Sequence, residues 1–382
     1  MNTILQIILW ISLFGAIYSY FLYPLLLLAM PRRKVSQAVF DSTASQPFIS
    51  IIVTAYNEAS QIEKKILNTL EIDYPIDKRE ILIASDGSTD ATNSIVQQYA
   101  DKGVRLIEVQ ERKGKENAQL AAILQAKGNL LVFSDTATII PPEALQHIVK
   151  AFEDPMIGAV SSEDRFISED GKIAGEGAYV KYEMWLRRKE AEVKSLVGLS
   201  GSFFACRKQI CNNWDISVPS DFNTALNCVT QGYVAISSPD VLGYYPNLKD
   251  ESKEYQRKLR TVIRGMAAIA SKPAVLNPFK MGFFAIEVIS HKVMRWLVPW
   301  FMLSLLISSL ILWQQHILYT LLLAAQLGFY GLASAGWLSK AARNHSLIKL
   351  PFFFIQVNLA IAHATLQFLS GKRITRWEPS KR

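Results

Sequence analysis

Ile4 to Met30 is almost uninterrupted apolar sequence, longer than the ~20 residues a helix needs to span a bilayer. Apolar segments return at Trp296–Trp313, Ile317–Leu338 and Leu350–Leu369. Half of the 382 residues are hydrophobic, and the excess lies at the two ends, while the middle has the composition of ordinary soluble protein. This distribution predicts a water-soluble domain held between membrane segments. The first run lacks the basic start, short apolar core and small-residue cleavage site of a signal peptide, so it reads as a retained anchor. Tyr18, Tyr20 and Tyr23 give its end interfacial character. Pro31-Arg32-Arg33-Lys34 follows at once, and the positive-inside rule then puts residue 31 onward in the cytoplasm. The expected organisation is an anchor at 1–31, a cytoplasmic domain at 32–278, an amphipathic interface helix at 279–295, membrane segments at 296–370 and a basic tail at 371–382. A multi-pass cell-membrane protein follows. The tail sets two expectations against each other. Three full spans would leave it outside, whereas its Lys and Arg residues favour the cytoplasm. The last segment, which contains Asn358, His363 and Gln367, would then be re-entrant or partly interfacial.

The net charge of +8 suits nucleic acid, a membrane surface or an anionic nucleotide. Much of the Lys and Arg flanks apolar runs, which favours membrane lipids and not nucleic acid as the partner. Cys206, Cys211 and Cys228 show no metal-binding spacing and read as reduced structural thiols. The five His residues are scattered.

From Phe48 the pattern becomes α/β. Strands are expected at 48–54, 80–84, 104–109 and 130–133, with helices at 61–70, 92–99 and 117–126 between them. Such alternation predicts a mostly parallel sheet. Leu130-Leu131-Val132-Phe133 is apolar throughout, as a strand covered on both faces requires, and it runs into Asp135. Three of the four strands end in polar residues, Asn57 and Glu58, Asp86, and Asp135. In open α/β sheets that edge is where ligands bind. Residues 141–290 are less regular. Within them Gly198-Leu199-Ser200-Gly201-Ser202 is a small-residue stretch where backbone can approach a ligand closely.

Five motifs occur in order: Thr54-Ala55-Tyr56-Asn57-Glu58, Ser85-Asp86-Gly87-Ser88-Thr89-Asp90, Lys113-Gly114-Lys115, Asp135, and Ser220-Asp221-Phe222. Each alone is weak. Together, on the expected strand ends, they resemble the family 2 glycosyltransferases over roughly residues 48–300, and the flanking segments resemble that family's membrane-embedded polysaccharide-synthase branch. The resemblance implies a GT-A (Rossmann-like) fold, a nucleotide-sugar donor, most simply a UDP-sugar, inversion at the anomeric carbon, and a polysaccharide or lipid-linked acceptor. It implies that Tyr56, Asn57 and Glu58 border the nucleobase and ribose, that Asp86 contacts the base, and that Lys115 lies near the diphosphate. Asp221 falls where the family places its catalytic base. Asp135 falls on the first acid of a motif that holds Mg²⁺ or Mn²⁺, but the second acid is replaced by Ala137. Mg²⁺ tolerates one protein carboxylate when phosphates and water complete its shell. Arg257 and Arg260 match a diphosphate-holding motif whose tryptophan is here Thr261, which puts processive polymerisation in doubt. Gly198–Ser202 matches an acceptor-side loop.

The same residues suit structural work. Asp86-Gly87-Ser88 can form an Asx-turn, Asp221 can cap a helix, Arg257 and Arg260 can sit on a solvated basic helix, and Trp185 and Trp214, which could stack on sugar, can equally be ordinary packing. Ala137 also motivates a different class, a non-catalytic nucleotide-sugar-binding subunit of a synthase complex. A transporter is disfavoured because the apolar segments carry few charges, and a nucleotide-dependent oxidoreductase because no G-x-G-x-x-G follows the first strand.

Overall fold

The computed structural model describes residues 2–33, 46–167, 178–246, 251–343 and 345–375. Lys34 and the tail from Arg376 onward lie outside the described residues. Two compact units are present. One comprises Met1–Ala29, Asp250–Met266 and Ile286–Arg373, the other chiefly Met30–Lys249 and Ala267–Ala285.

The second unit is built on one seven-stranded sheet. Its strands are β1 (Ile49–Ala55), β2 (Arg79–Asp86), β3 (Val104–Val109), β4 (Leu130–Asp135), β5 (Ile157–Ile167), β6 (Phe203–Arg207) and β7 (Val234–Pro246), in the order β3-β2-β1-β4-β6-β5-β7. The pairs β1/β2, β1/β4, β2/β3 and β5/β7 are parallel, and β6 runs antiparallel between β4 and β5. The first four strands and the helices Ile62–Leu70, Thr92–Gln97 and Lys115–Gln125 that join them follow the expected alternation. The three later strands arise from residues whose pattern gave no regular reading.

Period-two alternation explains the apolar runs. On β1 and β4, Ile49, Ile51, Val53, Leu130 and Val132 face a core shared with Ile62, Ile66, Leu145 and Ile148. Ile52, Leu131 and Phe133 face the opposite core with Ala118, Ala122, Phe204 and Cys228. Both faces of β1 and β4 are therefore dry, and a polar side chain reaches solvent from these strands only at an end.

The two ends differ. At the amino-terminal end Ser50 Oγ donates to Glu80 Oε1 at 2.6 Å, Lys127 N donates to the same oxygen at 2.6 Å, and Arg105 pairs with Glu80 Oε2 at 2.9 Å. Gly128 N donates to Ser50 Oγ at 2.8 Å. This end is knit to itself. At the other end the parallel register sets Thr54 beside Asp135 and Ala55 beside Ser85. Three loops therefore emerge side by side.

The first unit is helical. Asn2–Ala29, Phe283–Leu312, Ile317–Leu338 and Ser346–Leu369 are long and apolar enough to cross a membrane. Phe283–Leu312 is helical throughout. Its π-helical segment Ile289–Val293 meets another at Tyr18–Leu22, with Tyr18 Oη and Ser290 Oγ 2.9 Å apart and Ser19 Oγ donating to Ser290 O at 2.8 Å. Ser12 Oγ donates to Ser304 Oγ at 3.0 Å. Short polar side chains thus join apolar helices where no hydrophobic drive would act within lipid.

A β-carbon on Gly128 would lie 2.5 Å from Ser50 N and 2.8 Å from Leu130 O, both backbone atoms. Gly128→Ala should therefore destabilise the sheet by about 1–3 kcal/mol, read as a lower thermal unfolding temperature of the full chain. An unchanged transition would contradict this packing.

Candidate active site

Each loop at the carboxyl end of the parallel strands is held by its neighbour. Asn57, after β1, has φ +52°, a left-handed conformation that Asn tolerates better than most residues. Its N–H donates to Ser88 Oγ at 3.1 Å, and its side-chain carbonyl accepts from Thr89 N at 2.8 Å. Glu58 N donates to Thr92 Oγ1 at 2.9 Å and Ala59 N to Asp90 Oδ2 at 3.1 Å. The β1 and β2 loops are thereby joined residue by residue.

Asp86 is buried at the end of β2. It accepts from Lys113 N at 3.1 Å and from Gly114 N at 3.0 Å. Its carboxylate thus fixes the loop that follows β3 and does not cap the next helix. Asp90 stands just before that helix, and its Oδ1 accepts from Thr92 N at 3.0 Å. Gly87 (φ +68°) is needed for closeness as well as conformation, since a β-carbon there would lie 3.2 Å from Arg112 N. The Arg112 guanidinium lies over the Tyr56 ring, 3.8 Å from its centroid, a cation–π stack on the rim where the resemblance expects a nucleobase.

Gly114 ends that loop and Lys115 opens the next helix. Lys115 Nζ forms an ion pair with Asp135 and donates to Gly201 O at 2.8 Å. Burial alone would lower the Lys115 pKa, but the fields of Asp135, Glu116 and Asp221 outweigh it and the net shift is upward. Asp135 N donates to Ser202 O at 2.9 Å, and Thr136 Oγ1 to Thr54 O at 3.0 Å, so the turn after β4 is tied on two sides.

Asp221 lies in the first turn of the helix Ser220–Thr230, whose cap position is Pro219. It is therefore not the cap. Gly201 packs against it, so that a β-carbon on Gly201 would be 3.1 Å from Asp221 Oδ2. Tyr56, Asn57, Glu58, Asp86, Lys115, Asp135 and Asp221 all belong to this edge of the second unit. Arg257 and Arg260 lie on the helix Glu251–Ser271, in the part assigned to the first unit. Trp214 is accounted for by packing. It stacks on Phe133 with centroids 5.3 Å apart and donates Nε1–H to Glu116 O at 2.9 Å.

Two residues were not singled out from sequence. Asp164, on β5, accepts from Ser200 Oγ at 2.7 Å, Ser202 Oγ at 3.0 Å and Ser162 Oγ at 3.0 Å, and so fixes the loop that presents Gly201. Nothing local in the sequence signals this. Lys65 is 2% exposed. Its ammonium donates to Ser134 Oγ at 2.8 Å and to Thr138 O at 2.6 Å, bracing the Asp135 turn from beneath. A signal existed here, since Lys65 shares the buried face of its helix with Ile62, Ile66 and Thr69.

Among the described residues no group of three His, Cys, Asp or Glu side chains could hold a metal ion. Asp135 offers a hard oxygen donor, about one-third exposed and already facing one cation. It suits a divalent ion whose remaining ligands come from phosphate oxygens and water, and it does not suit a resident all-protein site.

The fold is that of the GT-A glycosyltransferases. It is similar to the mannosyltransferase PcManGT from Pyrobaculum calidifontis, solved in complex with GDP-Man and Mn²⁺, with a TM-score of 0.71, 24% identity, and coverage of 98% of this chain and 100% of that one. Residues 50–214, somewhat under half of the chain, match the sequence model of Glycosyl transferase family 2. Poly-beta-1,6-N-acetyl-D-glucosamine synthase of Staphylococcus aureus (strain COL) is 28% identical over 165 residues, 42% of this chain and 39% of that one. The synthase of the same name from Staphylococcus epidermidis is 26% identical over 175 residues, 44% and 42% of the two chains. The chain thus spans about two-fifths of the length of these curated relatives.

Burial lowers the Lys65 pKa from 10.5 to about 7, against an opposing pull from Asp135. Across that window the unfolded chain binds the proton more firmly than the folded one, so this residue makes stability rise with pH, by at most about 1.4 kcal/mol per unit. Thermal unfolding of the wild type should therefore lose ground to Lys65→Met as the pH is lowered from about 10 toward 7. A pH-independent difference would contradict the lowered pKa of this buried amine.

Proposed function

We propose that this chain is an inverting, membrane-bound glycosyltransferase that moves a sugar from a nucleotide donor to a polysaccharide or glycolipid acceptor. The observation that carries the reading is the linked set Asp135–Lys115–Gly201–Asp221, in which a carboxylate and a cation flank one backbone turn at the open edge of the sheet. Inverting transfer needs those two functions and little else. A base must take the acceptor hydroxyl proton, and a cation must meet the charge that develops on the departing diphosphate.

In this reading Asp221 accepts the proton as the acceptor oxygen attacks the anomeric carbon. The bond from that carbon to the diphosphate breaks, and the nucleoside diphosphate leaves with its charge met by Lys115. A Mg²⁺ or Mn²⁺ ion held at Asp135 and by the phosphates would supply Lewis-acid neutralisation. Tyr56, Asn57, Glu58 and Asp86 form the nucleoside end, with Asp86 acting chiefly by fixing the loop before Lys115. Diphosphate contacts from Arg257 and Arg260, a UDP-linked donor and a cytoplasmic setting are proposed from the family resemblance and the positive-inside rule. The synthase names among the relatives support a polysaccharide product.

Ala137 favours a second reading. Where the family places a second acid, this chain has a methyl group, and a subunit that binds nucleotide sugar without turning it over would need no such acid. That reading predicts that the donor is retained intact.

Asp221→Asn keeps the shape and removes the base. It should lower nucleoside diphosphate release by about 10²–10⁴-fold and leave donor binding, followed by fluorescence or calorimetry, within roughly threefold of wild type. Full activity in this variant would sink the base assignment.

A further inference from the structure

The proposed reaction uses Lys115 on the diphosphate, yet its ammonium lies on other partners. It is ion-paired with Asp135, the one carboxylate expected to hold a divalent ion, and it donates to Gly201 O at 2.8 Å. Its side chain is only 13% exposed, so the pair is not one that water readily screens. Lys65, the other cation near this turn, is engaged by Ser134 Oγ and Thr138 O. Lys115 alone among these two ammoniums touches Asp135. Ala137 supplies no second carboxylate to draw a metal past it.

An ammonium and a divalent ion compete for the same Asp135 oxygen. On the glycosyltransferase reading, what distinguishes the donor-free from the donor-bound site is a diphosphate, which offers Lys115 a second anionic partner and offers a metal its missing ligands. We propose that Lys115 is the resident counter-ion of Asp135, that it competes with divalent cations for that carboxylate, and that it transfers to the diphosphate when the nucleotide sugar enters. Metal and nucleotide would then bind as one interdependent event, and the missing second acid would be part of the same device.

The test is Mn²⁺ binding to the purified full chain, with and without saturating UDP or GDP, followed by the loss of the free-ion paramagnetic resonance signal beyond that caused by the same nucleotide without protein. No sugar transfer is involved, so a chain that proves not to be a transferase can still pass, and an active transferase can still fail. Wild type should bind Mn²⁺ at least tenfold more tightly with the nucleoside diphosphate that it recognises than without. Lys115→Gln should bind Mn²⁺ without nucleotide at least tenfold more tightly than wild type, and Asp135→Asn in that background should abolish the gain. Lys115→Arg keeps the charge and should stay within about twofold of wild type, which a merely structural role for the side chain would not predict. Nucleotide-free affinity in Lys115→Gln equal to wild type would overturn the proposal. So would a wild type that binds Mn²⁺ equally well with and without nucleotide, a result that does not depend on any variant folding.

Discussion

The in-register parallel pairing of β1 with β2 and β4 is the constraint on which the rest depends. It aligns Ala55 with Ser85 and Thr54 with Asp135, so three chain segments leave the sheet at one level. Both faces of these strands are buried, and a one-residue slip on any of them would drive core residues to the wrong face. The positions of Asn57, Asp86 and Asp135 are therefore set by hydrophobic packing, although none of the three is hydrophobic.

Above that level, short polar side chains bind loop to loop. Asn57 holds the loop after β2, Asp86 holds the loop after β3, Lys115 reaches from that loop to Asp135 and Gly201, and Asp164 holds the turn that carries Gly201. Several residues that look like ligands in the sequence do much of their work on the protein itself. Asp86 is the clearest case, since both of its oxygens meet backbone N–H groups. Such bonds fix the loops before any ligand arrives and reduce the ordering cost of binding.

The first four strands and three helices were legible because each is specified locally, by an apolar run or a helical repeat bounded by turn residues. β5, β6 and β7 were not. β6 is five residues long and is stabilised by partners some 70 positions earlier and 40 earlier, and such distant pairings leave little local trace. The site followed the same division. Asp135, Asp86 and Asn57 stand at the ends of readable strands, whereas Asp164 belongs to an unreadable one. Lys65 was visible in principle as a charge on an apolar helical face. The Lys115–Asp135 pair was not, because two residues 20 apart that the resemblance assigns to phosphate and metal gave no reason to expect them on each other. The membrane helices were legible from length and composition, and their polar Ser and Tyr contacts were not.

The central claim is that this edge of the sheet transfers sugar. Its most direct test is stoichiometry. The purified wild-type chain would be incubated with radiolabelled nucleotide sugars, Mn²⁺ and a membrane lipid or oligosaccharide acceptor fraction, and both products counted. The account predicts, for at least one donor, nucleoside diphosphate and acceptor-bound sugar formed in equal amounts over many turnovers. Donor that binds and is recovered intact, with neither product, would contradict it.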